Sequence, residues 1–255
     1  MRGIKLTEGG NLISEEKTLE NIRFVVKLAD TPIEARVLHE STRQFLREYL
    51  TEEAAAFFVA VTEENIAYER QKADPKYHFT DAYLETLALY RQISAGLLDY
   101  DTLLFHGSAI AVDGQAYLFT AKSGTGKSTH TALWRKRFGA RAVMVNDDKP
   151  LLRMTEQGVT VYGTPWDGKH RLSSNIAVPL KAVCILERDT KNHIGAVSPR
   201  DAWPMLMQQS SRPSDPAKLS QAMRLLDVLA AKTGIYRMGC NMEPEAAETA
   251  YRGMQ

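Results

Sequence analysis

Residues 115–148 read QAYLFTAKSGTGKSTHTALWRKRFGARAVMVNDD, and the order of patterns within this stretch decides the fold class. The first six residues read as a strand, and a loop rich in glycine and serine follows them directly. Residues 127–138 read as a helix that Gly139 is placed to end, and residues 142–145 form a short apolar strand. A strand, a glycine-rich loop, a helix and another strand in this order predict an α/β fold.

The loop matches the phosphate-binding Walker A pattern at all but one position. The pattern is G-x-x-x-x-G-K-[ST], and residues 121–128 read AKSGTGKS, so Ala121 stands where the first glycine is expected. Alanine is compatible with such a loop if its backbone φ is negative. The strand before the loop and the helix after it are the context that the pattern requires. A glycine-rich turn that binds no ligand is the alternative.

The residue types in the loop suit a nucleoside triphosphate. Gly124 and Gly126 let the backbone approach phosphate oxygens, and the N–H groups at the helix N-terminus attract an anion. Lys127 would place its charge on the β- and γ-phosphates, and Ser128 would offer its hydroxyl to Mg²⁺. ATP is predicted rather than GTP, because no Asn-Lys-x-Asp pattern is present. The predicted nucleotide-binding residues are Ser123, Gly124, Thr125, Gly126, Lys127, Ser128 and Thr129.

Two adjacent carboxylates, Asp147 and Asp148, follow the strand that comes after the loop helix. Phosphate-loop proteins carry the carboxylate that holds the metal ion at this place in the chain. Consecutive residues at a strand end point in different directions. One carboxylate can therefore meet Mg²⁺ while the other accepts a proton from a hydroxyl nucleophile. A solvated turn or a helix cap is the alternative explanation of the pair.

Composition indicates an ordinary soluble globular protein. The chain has 255 residues, of which 44% are hydrophobic, and a formal net charge of +1, which gives no electrostatic reason to expect nucleic acid. Cys184 and Cys240 are too few for a disulfide framework and are expected to be buried thiols in a reducing cytosol. Residues 1–10 lack an apolar run after their positive charge, and no stretch reaches transmembrane length. A cytoplasmic location without membrane contact is therefore expected.

We predict two regions, a small α/β region over residues 1–100 and the phosphate-loop region over residues 101–255. Asp113-Gly114 is a tight hairpin signal before the loop strand. The other predicted strands cover residues 22–28, 55–61, 103–112, 159–162, 182–186 and 235–238. The other predicted helices cover residues 41–50, 62–72, 81–98 and 201–209, and two more begin at Pro216 and Glu243. Asp81 is expected to cap its helix, whose predicted apolar face comprises Tyr83, Leu87, Tyr90, Ile93 and Leu97.

Residues 105–151 resemble the catalytic domain of the HPr kinase/phosphorylase family. The resemblance rests on His106-Gly107, the Ser-Gly-x-Gly-Lys-Ser loop and the aspartate pair, which occur in the family's order. ATP-dependent phosphoenolpyruvate carboxykinase shares this loop form and nucleotide-binding architecture. The whole chain is also similar to a group of uncharacterised bacterial HPr-kinase-like proteins. The hallmarks of that group are present here as FHGSA (105–109), NDDKP (146–150) and GTPWDGKH (163–170).

The resemblance implies an HPr-kinase-like P-loop catalytic domain preceded by a small α/β N-terminal region, and self-association. It implies that Asp147 is the base that activates the acceptor hydroxyl and that Asp148 and Ser128 lie near the metal. His106 would lie beside the active site, although a strand histidine with a structural role is the alternative. Thr129 stands where the family has a glutamate. The family's later segment that receives the HPr protein has no match, so HPr is not the predicted substrate.

A small basic cluster, Lys169-His170-Arg171, follows Gly168 in a polar loop. Lys169 or Arg171 could neutralise γ-phosphate charge as it moves, or grip an anionic acceptor, and a solvated basic loop is the alternative. Trp166 in the same loop is expected to pack, or to cover an adenine or substrate. His130, on the helix after the phosphate loop, is expected to be structural.

These features predict an ATP- and Mg²⁺-dependent kinase that transfers the γ-phosphoryl group to a hydroxyl. The acceptor is either a serine or threonine of a peptide or protein, or a small hydroxylated metabolite. A non-catalytic or regulatory nucleotide-binding module is the alternative, and a carboxykinase-like reaction is more distant. An intact set of Lys127, Ser128, Asp147 and Asp148 favours catalysis over the alternative.

Overall fold

The computed structural model describes residues 21–255, so the expectation about residues 1–10 lies outside the described residues. The strands are β1 Ile22–Leu28, β2 Thr31–Val37, β3 Phe57–Ala60, β4 Thr102–Leu104, β5 Ser108–Val112, β6 Gln115–Thr120, β7 Ala142–Asn146, β8 Leu151–Thr155, β9 Gly158–Tyr162, β10 Ala177–Arg188, β11 His193–Ala196 and β12 Gly234–Cys240. The α-helices are α1 Glu40–Phe45, α2 Glu63–Lys72, α3 Asp81–Leu97, α4 Lys127–Phe138, α5 Pro199–Gln209, α6 Pro216–Lys232 and α7 Glu245–Gly253. This mixture confirms the predicted α/β class.

The first sheet contains β1, β2 and β3 in that order, with β1 antiparallel and β3 parallel to β2. β2 was not predicted from the sequence. Its residues alternate between buried and half-buried, but Pro32 and two charged residues interrupt the apolar pattern. The turn between β1 and β2 also carries no glycine, although Ala29 and Asp30 both have positive φ, 47° and 56°. Arg153 Nη1 donates to the Ala29 carbonyl at 2.6 Å and fixes this turn against β8.

Helix α3 lies at the centre of the core below this sheet. Its cap is Thr80, whose Oγ1 accepts from the Tyr83 N–H at 3.3 Å, so the prediction that Asp81 is the cap is wrong by one residue. The predicted apolar face is confirmed for Tyr90, Ile93 and Leu97, which are buried, and Leu87 is partly buried against the core. Tyr83, by contrast, is 47% exposed. The helix packs against the sheet on one side and near Trp166 on another, so its buried surface is wider than one stripe.

Within residues 21–255 the second sheet has nine strands, and the glycine-rich loop follows one of them, β6. Its main path is β4-β8-β9-β10-β6-β5-β7, and β12 pairs with both β10 and β11. The first part of β10 is antiparallel to β9, and its second part runs parallel to β6 and to β12. The carboxyl ends of β6, β10 and β12 therefore meet at one edge of the sheet, where α/β proteins bind ligands.

Several predicted boundaries are wrong for reasons of strand pairing. The stretch 103–112 is broken at residues 105–107, because β4 pairs with β8 whereas β5 pairs with β6 and β7. The strand predicted at 182–186 begins at Ala177, since its early residues pair with β9. The helix predicted over 41–50 ends at Phe45 and is followed by one 3₁₀ turn. The sequence prediction also lacks β8 and β11.

One hydrophobic core joins the first sheet and α3 to residues that come later in the chain, Leu151 and Trp166. The boundary near residue 100 stays a prediction. No helix within residues 21–255 is long and apolar enough to cross a membrane.

Candidate functional site

The glycine-rich loop connects the end of β6 to the start of α4. Gly124 and Gly126 have φ values of 76° and 125°, and a Cβ at either position would meet nothing within 4 Å, so open space lies beside both glycines. The Thr125 N–H and Oγ1 both donate to the Lys122 carbonyl, at 3.2 and 2.8 Å. Ala121 is buried in the core and is not among the residues with positive φ. Alanine therefore fits where the Walker A pattern has its first glycine.

Lys127 opens α4 and lies in electrostatic range of Asp148. Burial lowers the pKa of Lys127, the charge of Asp148 raises it, and the charge of Lys149 lowers it. Its neighbours Ser128 and Thr129 are exposed on the first turn of the helix. The end of β7 thus brings Asp148 into electrostatic range of the loop lysine.

Asp148 is held as a carboxylate by His106 and Lys149. His106 Nε2 lies 3.2 Å from its Oδ1, and Lys149 Nζ donates to its Oδ2. Burial raises the pKa of Asp148, but these hydrogen bonds and charges outweigh it and bring the pKa to about 2. The Asn146 side-chain oxygen accepts from the N–H groups of Asp148 and Lys149 at 2.8 and 2.7 Å, which fixes the turn after β7.

His106 lies beside Asp148 because Gln209 orients it. Gln209 Oε1 is 2.7 Å from His106 Nδ1, and the Gln209 carbonyl accepts from the His106 N–H at 2.7 Å. The Thr120 hydroxyl donates to the His106 carbonyl at 3.1 Å. Sequence reasoning missed Gln209, since it comes 103 residues later and carries no local signal.

Asp147 has a different environment from Asp148. Its Oδ1 accepts from the Gly168 N–H at 2.5 Å, and its Oδ2 is buried without a hydrogen-bond partner among residues 21–255. Burial raises the pKa of Asp147, the Gly168 hydrogen bond lowers it, and the charge of Asp148 raises it. The pKa of Asp147 is thus raised above the ordinary value of an aspartate, whereas that of Asp148 is lowered below it. Asp167 is also close to Asp147. Burial is the largest cause that raises the pKa of Asp167, and the charge of Asp147 raises it further.

The polar loop after β9 runs along a cleft of about 880 Å³ that also borders Asp148. Lys169 and Arg171 line the cleft, and His170 is exposed next to them. The Arg171 N–H donates to the Gly168 carbonyl at 2.9 Å, and Arg171 has a positive φ of 50°. The cleft is also lined by residues from earlier in the chain, including Phe45, Arg47, Glu48, Tyr49 and Tyr83.

Trp166 forms part of the floor of this cleft. Its ring stacks on Tyr90 at a centroid distance of 3.9 Å, and its Nε1 donates to the Thr86 carbonyl at 2.9 Å. Only 4% of the residue is exposed. Trp166 therefore packs the loop onto α3, which agrees with the first of its two expected roles.

His130 is buried on α4, which follows the glycine-rich loop, and it accepts from Trp134 Nε1 at 3.1 Å and meets the Phe119 ring edge to face. Burial lowers its pKa to about 4. The unfolded chain takes up this proton near pH 6.5 and the folded chain near pH 4, so stability falls as the pH drops through this window. We expect a loss of about 3 kcal/mol in the free energy of unfolding.

Urea unfolding at pH 7 and at pH 4.5 measures this effect, with His130→Gln as the control. Glutamine keeps an acceptor for Trp134 and does not titrate, so the variant should lose part of the pH dependence. Equal pH dependence in both proteins would contradict the assignment.

The fold and site define a class of mixed α/β protein with a strand–glycine loop–helix unit whose first helical lysine lies in electrostatic range of one of two adjacent carboxylates. The family model of "SynChlorMet cassette protein ScmC" matches residues 78–243, so the chain belongs to the ScmC family. No curated protein matches the chain. Among solved structures, the chain is similar to the HPr(Ser) kinase/phosphatase from Coxiella burnetii, with 11% sequence identity and a TM-score of 0.33. That match covers 58% of this chain and 93% of the other.

Proposed function

We propose that the protein is an ATP-dependent phosphotransferase that moves the γ-phosphoryl group to a hydroxyl. The observation that carries the proposal is the position of Asp148, which lies in electrostatic range of Lys127 and also lines the large cleft. A nucleotide on the loop and an acceptor in the cleft would meet at this residue. Phosphoryl transfer depends mainly on such positioning and on charge stabilisation.

The loop residues would hold the phosphates, with Lys127 on the β- and γ-phosphates and the N–H groups of residues 123–129 around them. The exposed Ser128 hydroxyl and the ionised Asp148 carboxylate are oxygen donors of the kind that Mg²⁺ prefers, so they fit the metal. When bound, Mg²⁺ would neutralise charge on the transferring phosphate. Among the described residues no three acidic, histidine or cysteine side chains form a metal-binding group, and Mg²⁺ on a nucleotide needs fewer protein ligands.

Asp147 would accept the proton of the acceptor hydroxyl. Its raised pKa and its Oδ2 without a partner suit a base better than the doubly paired Asp148 does. Lys169 or Arg171 would stabilise the transferred charge or hold an anionic acceptor, because both line the cleft beside Asp148.

Gly168 offers a steric test of the role of Asp147. A Cβ at Gly168 would lie 2.9 Å from Asp147 Oδ2, while the backbone there is not in the left-handed region. Gly168→Ala should therefore displace the carboxylate and lower transfer by roughly tenfold to a hundredfold, with ATP affinity retained. Steady-state transfer rates and calorimetric ATP titration measure this. Gly195→Ala, where the added Cβ meets nothing within 4 Å, is the matched control. Full activity in Gly168→Ala would count against this use of Asp147.

The acceptor is a serine or threonine of a peptide or protein, or a small hydroxylated metabolite. The decisive experiment incubates the protein with γ-labelled ATP and a cell lysate, then separates macromolecules from small molecules. Label in either fraction, absent without Mg²⁺, supports a kinase and identifies the acceptor class. Tight ATP binding with neither transfer nor hydrolysis would instead support a non-catalytic nucleotide-binding module.

A further inference from the structure

Arg188, which no sequence motif marks, lies next to the phosphate loop. Strands β6 and β10 run parallel, with Ile185 opposite Thr120, the last residue of β6. A strand rises about 3.3 Å per residue, so the residue three positions after Ile185 lies beside the loop that begins after Thr120. Arg188 ends β10 and occupies this place.

The Arg188 side chain contacts two backbone carbonyl groups of the loop. Its Nη2 donates to the Gly124 carbonyl at 2.5 Å, and its Nε donates to the Thr125 carbonyl at 3.4 Å. When the N–H groups of a loop converge on an anion, the intervening carbonyls must point away from it. Carbonyls turned outward need donors of their own. The Lys122 carbonyl accepts from the Thr125 N–H and hydroxyl, and Arg188 donates to the carbonyls of Gly124 and Thr125.

We infer that Arg188 is a positioning residue of the nucleotide site, which holds the loop in its phosphate-binding shape through the carbonyls of Gly124 and Thr125. The identity of the ligand as ATP rests on the proposed function. Because Arg188 acts on the loop backbone, its removal changes the shape of the loop that surrounds the phosphates of any bound nucleotide. ATP and ADP should therefore be affected alike, whereas a direct contact with the γ-phosphate would affect ATP alone.

Calorimetry with Mg²⁺–ATP and with Mg²⁺–ADP tests this in Arg188→Ala, Arg188→Lys and Arg237→Ala. Arg237 is the matched control, because it is an exposed arginine on the adjacent β12 and pairs with Glu187 instead of the loop. We expect Arg188→Ala to lose roughly tenfold to a hundredfold in affinity for both nucleotides. Arg188→Lys should regain part of the loss, and Arg237→Ala should match the wild type. Loss for ATP alone, or affinities within twofold of the wild type, would overturn the inference.

Hydrogen exchange on the nucleotide-free protein separates this inference from the proposed function. Amides of residues 122–127 should exchange faster in Arg188→Ala than in the wild type or Arg237→Ala, while the rest of the fold is unchanged. Unchanged exchange in the loop would overturn the role of Arg188. If the wild type binds neither nucleotide but the loop exchange still rises in Arg188→Ala, the proposed function fails and the effect of Arg188 on the loop stands.

Discussion

Replacing Lys127 with alanine is expected to abolish ATP binding while the fold remains intact. The lysine opens α4 beside a loop whose two glycines leave open space, and burial lowers its pKa there. A phosphate chain would satisfy this half-buried cation, and the helix N-terminus alone offers far less charge to an anion. Loss of the contact should weaken binding by more than roughly a hundredfold.

Calorimetric titration with Mg²⁺–ATP measures the loss, and thermal unfolding verifies that the variant is folded. Lys136→Ala is the matched control, since Lys136 is exposed in the last turn of the same helix and carries the same charge. Equal affinity for Mg²⁺–ATP in Lys127→Ala and Lys136→Ala would show that the phosphate loop is not the nucleotide-binding site.

Replacing Asp147 with asparagine is expected to retain ATP binding and to lose phosphoryl transfer. Asparagine keeps the size of the side chain and an oxygen for the Gly168 N–H, but it cannot accept a proton. The loss in turnover should be roughly a hundredfold or more, the usual contribution of a general base. Transfer from γ-labelled ATP to the acceptor identified from lysate measures it, with ATP affinity determined on the same preparation.

Asp148→Asn is the partner variant, because the two carboxylates have opposite environments. Asp148 pairs with His106 and Lys149, so its replacement should weaken the Mg²⁺ dependence of ATP binding as well as transfer. If Asp148→Asn loses transfer at unchanged Mg²⁺ dependence while Asp147→Asn stays active, the roles proposed for the two residues are exchanged.

Local elements with local signals could be predicted from the sequence. Helix α4 spans residues 127–138 as predicted, and the hairpin before it turns at Asp113 and Gly114 with φ values of 52° and 77°. Thr62 caps α2 through the Asn65 N–H, and Asp215 caps α6 through the Ala217 N–H. Each of these features depends on residues within four positions of one another, so a short window contains the whole interaction.

Elements whose stability depends on distant pairing were missed or misplaced. The turn before β2 passes through Ala29 and Asp30 without glycine. Arg153 and Tyr162, which come more than a hundred residues later in the chain, form hydrogen bonds that hold this turn in place. The break at residues 105–107 similarly reflects two different partners for β4 and β5. No period in the sequence reports such partners, because periodicity records which side of an element is buried and not what covers it.

The sequence alone determined the strand–loop–helix unit, the substitution of alanine for its first glycine, and the aspartate pair at the end of β7. The tertiary structure decided what surrounds them. It places Gln209 against His106, Gly168 against Asp147 and Arg188 against the loop, and it lines one cleft with residues 41–49, 82–87 and 148–175. The reason is physical. Backbone geometry and short-range hydrogen bonds are encoded in neighbouring residues, whereas the burial and charge that separate the pKa values of Asp147 and Asp148 arise only when distant strands and loops meet.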